Sequence, residues 1–184
     1  MLRKKSLFAT VLTGAMLIAT ASFADVMVGG QPMFPEKNII ENAVNSADHT
    51  TLVAAVQAAG LVETLQGEGP FTVFAPVNSA FAALPAGTVE TLLKPENKAM
   101  LTTVLTYHVV PGRYTFNDLK QMAKKMDGKA ELKTASGGTL VVMLNGPTNL
   151  IVEDEKGGMA NITISDVLQS NGVIHSIDKV LLPN

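Results

Sequence analysis

Helical periodicity and strand alternation occupy different halves of this chain, and that separation limits the folds open to it. From Asn38 to Lys125 apolar residues recur mostly at helical spacing. Ile39, Ile40, Ala43 and Val44 share one face. Leu52, Val53 and Val56 stripe a second helix, Thr50 to Ala59, and Gly60 stands where a left-handed C-terminal cap belongs. A short turn follows from Leu61 to Leu65. Asn78 is positioned to cap a helix carrying Phe81 and Leu84, and Thr88 to cap another, Val89 to Leu93. Pro95 suits the first turn of a helix running through Leu105. Thr115 and Asp118 have capping-box spacing for a helix reaching Lys125.

Two short β-branched and aromatic runs interrupt this half. Phe71 to Phe74 is stopped by Pro76, and Tyr107 to Val110 by Pro111-Gly112. After Lys129 the pattern is strand. Lys129–Thr134, Leu140–Leu144, Leu150–Asp154, Ala160–Ser165 and Val173–Leu182 are separated by clusters such as Ser136-Gly137-Gly138 and Lys156-Gly157-Gly158. Ala160, Ile162 and Ile164 alternate with Asn161, Thr163 and Ser165, so one face is buried and the other wet. Helices first and antiparallel strands second predict an α+β fold with segregated layers. There is no internal repeat or low-complexity linker, so one domain is expected.

The first 24 residues read as a cleavable signal peptide. Arg3, Lys4 and Lys5 precede an uncharged apolar run, Leu7 to Ala19, and Ser22-Phe23-Ala24 offers small residues for a peptidase. Cleavage is expected between Ala24 and Asp25, with Ala19-Thr20-Ala21 as a second site. Residues 25–37, rich in Gly and Pro, form an extended lead-in, and 38–184 form the domain. The whole chain has 14 basic and 16 acidic residues, a formal −2. The leader removes three basic residues and no acid, which leaves −5. No basic run survives to favour nucleic acid or an anionic membrane, and no second apolar segment is long enough to insert in one.

With no cysteine, stability outside the cytoplasm must come from packing, and thiol catalysis and thiolate metal sites are excluded. The chain lacks Gly-x-Ser-x-Gly, His-Glu-x-x-His and P-loop motifs, and Gly67-Glu68-Gly69 is not a dinucleotide fingerprint. No catalytic residue, metal ligand set or cofactor is assigned. His49, His108 and His175 could bind zinc only by converging. His108 and His175 lie in apolar runs and read as structural imidazoles. Glu153-Asp154-Glu155 lacks the alternating ligands of a calcium loop and reads as a solvated hairpin end. Met27 and Met33 flank Gly29-Gly30 and could offer thioethers to Cu(I), but packing on the core is the better reading. Asn161-Ile162-Thr163 is a glycosylation sequon inside a predicted strand.

Three stretches, in order, carry a resemblance. Phe71 to Phe81, FTVFAPVNSAF, resembles the first signature of the fasciclin (FAS1) domain family, Tyr107-His108 its central motif, and NGVIHSIDKVLLP from Asn171 its closing motif. The likeness spans Asn38 to Asn184 and is nearest to small, single-domain bacterial secreted members. It implies a β-wedge of two sheets with a helical layer, and non-catalytic adhesion through a protein, cell-surface or matrix partner. The signal peptide places the mature chain in the periplasm or beyond, and a monomer is the default expectation.

The resemblance carries partner contact onto Asp166-Val167 and Tyr107-His108. Val167 departs from the Asp-Ile pair of animal members. The remaining motif residues read as structural. Phe71, Phe74 and Phe81 bury apolar surface, Asn78 caps a helix, Gly172 permits a turn, and His175 and Ile177 share a strand face. Two other functions stay open beside adhesion. One is a periplasmic small-ligand or metal-handling protein using the histidines or methionines. The other is a hydrolase whose catalytic residues are scattered along the chain.

Overall fold

The computed structural model describes residues 26–184. The predicted leader and its cleavage point lie outside the described residues. The expected lead-in is a β-hairpin. β1 (Val26–Val28) and β2 (Gln31–Met33) pair antiparallel, because consecutive glycines at positive φ reverse the chain between them. Val28 and Met33 are buried, so the hairpin belongs to the core.

The helical layer follows. α1 (Ile39–Ala43) opens with a reciprocal capping box between Asn38 and Glu41. After a 3-10 turn at Ala47–His49 come α2 (Thr50–Ala59) and α3 (Val62–Gln66), with Gly60 in the left-handed cap expected of it. β3 (Phe71–Pro76) leads into α4 (Asn78–Ala82) and α5 (Thr88–Leu92). A 3-10 turn at Pro95–Asn97 feeds α6 (Lys98–Tyr107), then β4 (Val109–Pro111) and α7 (Phe116–Lys125). Thr115 and Asp118 do form the capping box.

Two local readings are corrected here. Tyr107 and His108 end a helix instead of starting a strand, because Leu101, Val104 and Leu105 continue a buried helical stripe up to them. Thr88 is the first helical residue, and its cap is Gly87 in the left-handed conformation.

Five strands complete the chain: β5 (Lys129–Lys133), β6 (Thr139–Asn145), β7 (Asn149–Glu153), β8 (Met159–Gln169) and β9 (Gly172–Ile177). The larger sheet runs β4-β3-β9-β8-β7-β6-β5. β8 is longer than its alternation suggested. Register shifts between Ile162 and Val167 bend it, so it serves both halves of the wedge. The two ends of the sheet nearly meet, where the Ala135 N–H donates to the Val109 carbonyl at 2.7 Å.

β9 is not antiparallel throughout. It runs parallel to β3, with Phe71 opposite Gly172 and Phe74 opposite His175. Both strands are therefore buried on both faces. One face, with Val73, Ala75 and Ile174, packs on α1, α2, α3 and α6. The other, with Phe74 and Ile177, packs into a second core with Tyr107, Leu119, Leu140 and Leu150.

Candidate functional site

The polar residues singled out by sequence are drawn into internal hydrogen bonds. His108 caps α6. Its Nδ1 lies 2.8 Å from the Val104 carbonyl, and its Nε2 accepts the Leu181 N–H at 3.0 Å. A carbonyl can only accept, so the proton sits on Nδ1 and the ring is neutral. Burial pulls its pKa from 6.5 down to about 4. Tyr107 lies beside it, donating from its hydroxyl to the Thr139 carbonyl and accepting the Glu155 N–H. Burial first, then the nearby Glu155 and Asp154 charges, push this phenol up to about 12.

His175 is equally enclosed. It stacks on Phe74 at 5.8 Å, and its Nε2 donates to the Tyr114 carbonyl at 2.9 Å. Its Nδ1 accepts the Asp166 N–H at 3.3 Å. His49 sits between two hydroxyls, Ser46 Oγ on Nδ1 and Ser176 Oγ on Nε2. Burial lowers both pKa values. The three imidazoles do not meet at one point. Among the described residues no group of three or more acidic or histidine side chains converges on a point where a metal could sit.

The remaining candidates are held in the same way. Asp154 accepts from the N–H groups of Lys156, Gly158 and Leu182, folding its own turn and pinning the C-terminal segment. Its carboxylate is buried, so the solvated hairpin end applies only to its neighbours. Met27 is 55% exposed and Met33 4% exposed, and they point to opposite sides of the hairpin. The Asn161 side chain of the sequon donates to Asp178 at 2.7 Å.

Of the four residues assigned to partner contact, three are interior. Tyr107 is 0%, Val167 1% and His108 2% exposed, so a partner docking on the folded surface touches none of them. Asp166 is half-buried. Its φ of 56° is left-handed, and its carboxylate accepts the N–H of Phe116, the first residue of α7, at 2.6 Å. That N–H is one of the donors a helix start leaves unpaired, so β8 supplies a cap for α7.

The role expected of Asn78 is also corrected. The residue does not cap α4, whose cap is Val77. Its Oδ1 accepts from the Thr51 N–H and Thr50 hydroxyl, and its amide donates to the Ala47 carbonyl, so it caps α2 instead. The role expected of Gly172 is corrected too. Its φ is not in the left-handed region, but a Cβ there would collide with the Phe71 carbonyl, so the glycine allows β3 and β9 to approach. Phe71 and Phe81 are half-buried against the first core. Sequence reasoning missed Asn171, which ties α1 and α3 to the turn between β8 and β9. It accepts from Ile39 N–H at the start of α1 and donates to the carbonyls of Leu65 and Gly67 at the end of α3. An Asn beside a Gly signals only the turn.

The family model for the fasciclin domain matches residues 47–183. The chain belongs to the fasciclin family. A Synechocystis protein, sll1483, is 49% identical over 79% of this chain and 73% of its own length. The immunogenic protein MPB70 of Mycobacterium bovis is 34% identical over 77% of this chain and 66% of its own. The pig transforming growth factor-beta-induced protein ig-h3 is 39% identical over 72% of this chain, which spans only 17% of that protein. In structure, the fasciclin fold here matches a FAS1 domain pair from the insect cell adhesion molecule fasciclin I. The TM-score is 0.70 at 18% identity, over 80% of this chain and 51% of the other. The α+β wedge expected from the motifs is the fold observed.

Proposed function

We propose that this fasciclin domain is a secreted, non-catalytic interaction module whose outer surface binds a protein or matrix component at a cell surface. The observation that carries the reading is how the reactive side chains are spent. His108, His175, Tyr107 and Asp154 all bond to the chain's own backbone. Their neutral rings and raised phenol leave no poised base or nucleophile among them. The relation to an insect molecule described as a cell adhesion molecule supports the same reading.

Asp166 is the contact candidate that reaches the surface, and it also caps α7. Asp166→Asn separates these roles, because an amide oxygen still accepts the Phe116 N–H while the charge is lost. The test is saturable binding of labelled protein, lacking residues 1–24, to intact cells and to purified matrix protein. Competition by unlabelled protein is expected. Binding that neither saturates nor competes overturns the adhesion function. Saturable binding unchanged by Asp166→Asn removes only Asp166 from the contact.

A metal-handling function finds no support in the geometry, since the imidazoles are engaged and the two thioethers diverge.

A further inference from the structure

The first core is not filled. A cavity of about 120 Å³ lies between the helical layer and the β3–β9 face. Leu52 and Val56 of α2, Leu65 of α3, Val73 and Ala75 of β3 and Ile174 of β9 form its walls. Among the described residues, no Asp, Glu, Lys or Arg lines it. Its two imidazoles, His49 and His108, have both ring nitrogens bonded to the protein and pKa values lowered by burial. They make no demand for a polar guest and offer no charge to a charged one. Exposed Gln57 and Thr64, with half-buried Leu61 and Val62, mark where the walls approach solvent.

Interiors normally pack with few voids larger than a water. A water needs two to four polar partners, and apolar chambers of roughly 150 Å³ stay dry and accept benzene or xenon. No described wall residue offers an opposite charge, and a buried lone charge is expensive. Volume, lining and neutrality therefore select one class of occupant.

We propose that this cavity is a binding site for an uncharged hydrocarbon group of about the size of one benzene ring. Such a group comes either as a free small molecule or as the end of an alkyl tail whose polar head stays at Gln57 and Thr64. Both share the chemistry that the walls recognise. The proposal stands apart from the adhesion reading, since it uses the interior of the wedge and not its outer surface.

The experiment is methyl NMR of the protein lacking residues 1–24, titrated separately with benzene, n-decanol and sodium benzoate. Benzene or decanol should shift the methyl groups of Val56, Val73 and Ile174 saturably and leave Leu140 and Val142 of the second core in place. Saturation by benzene alone identifies a free small guest, and saturation by decanol identifies a tail. Benzoate should leave all these signals unmoved. Val56→Phe fills the chamber and should abolish the shifts. Ala75→Val reports the same by weakening them, should the larger side chain prevent folding. No saturable shift with either neutral probe overturns the proposal. So does benzoate binding as well as benzene, or binding that survives both filled variants.

Discussion

The Nε2 atom of His108 accepts a hydrogen bond from the backbone N–H of Leu181, 3.0 Å away and 73 residues along the chain. The opposite ring nitrogen donates to Val104, one turn back in α6. One neutral ring thus fastens the C-terminal segment to the end of a helix.

Replacing His108 with Ala strands the Val104 carbonyl and the Leu181 N–H in the core. An unpaired buried group costs about 1–3 kcal/mol. At about 2–4 °C per kcal/mol for a domain of this size, Tm should fall by several degrees, read by circular dichroism. An unchanged Tm would show that water reaches both groups.

Acid should weaken the fold before the carboxylates titrate. In the unfolded chain His108 takes a proton near its ordinary pKa of 6.5, whereas in the fold it does so only near 4. Stability is complete above 6.5 and is lost as pH falls through that window, because there the unfolded state binds the extra proton. For His108 alone the loss is about 3 kcal/mol at 1.36 kcal/mol per pKa unit. His49 and His175 are lowered too and act in the same direction. Urea unfolding at pH 7.5, 6 and 5 should give steadily lower midpoints. Equal midpoints at pH 7.5 and 5 would refute this.

Asn78→Ala should loosen α2 and leave α4 intact, since the side chain caps the helix 27 residues upstream. Loss of a cap costs about 0.5–2 kcal/mol. Hydrogen exchange at the Thr51 amide should accelerate more than at Phe81. The reverse order would restore Asn78 to its own helix.

Asp166→Ala should destabilise more than Asp166→Asn. Alanine loses the acceptor for Phe116 and fits poorly at a φ of 56°, whereas Asn keeps an acceptor oxygen and tolerates that region. Thermal melts of the two variants side by side settle the order. Equal melting would mean that neither the cap nor the backbone conformation matters.

Gly172→Ala should be more damaging than the turn role expected from sequence suggests. The added carbon meets the Phe71 carbonyl and Ile39, so the strands must part. Exchange of the β3 and β9 amides should quicken selectively. Protection equal to wild type would show that the strands can yield at no cost.

Much of the fold was legible because its signals are local. The Gly60 cap, the Thr115–Asp118 box and the alternation of Ala160, Ile162 and Ile164 each depend on residues within one turn or a few pleats. The end of α6 was less clear, since Tyr107-His108-Val109-Val110 is apolar at either period. Only burial of Leu101, Val104 and Leu105 on one side extends the helix to Tyr107. Of the partner residues, the side-chain chemistry was visible and the exposure was not.

The sequence by itself determined the order of elements, most of their types and the apolar faces they bury, since periodicity and capping act over a few residues. Tertiary structure decided which strands become neighbours, and so placed β9 parallel to β3 and buried both faces of each. It also decided whom each polar side chain serves. An Asn carries the same acceptor wherever it stands, and only packing brings Thr51 to Asn78 or Ile39 to Asn171. The unfilled chamber belongs to the same class. A void is a mismatch between faces that meet in space, and no stretch of chain contains one.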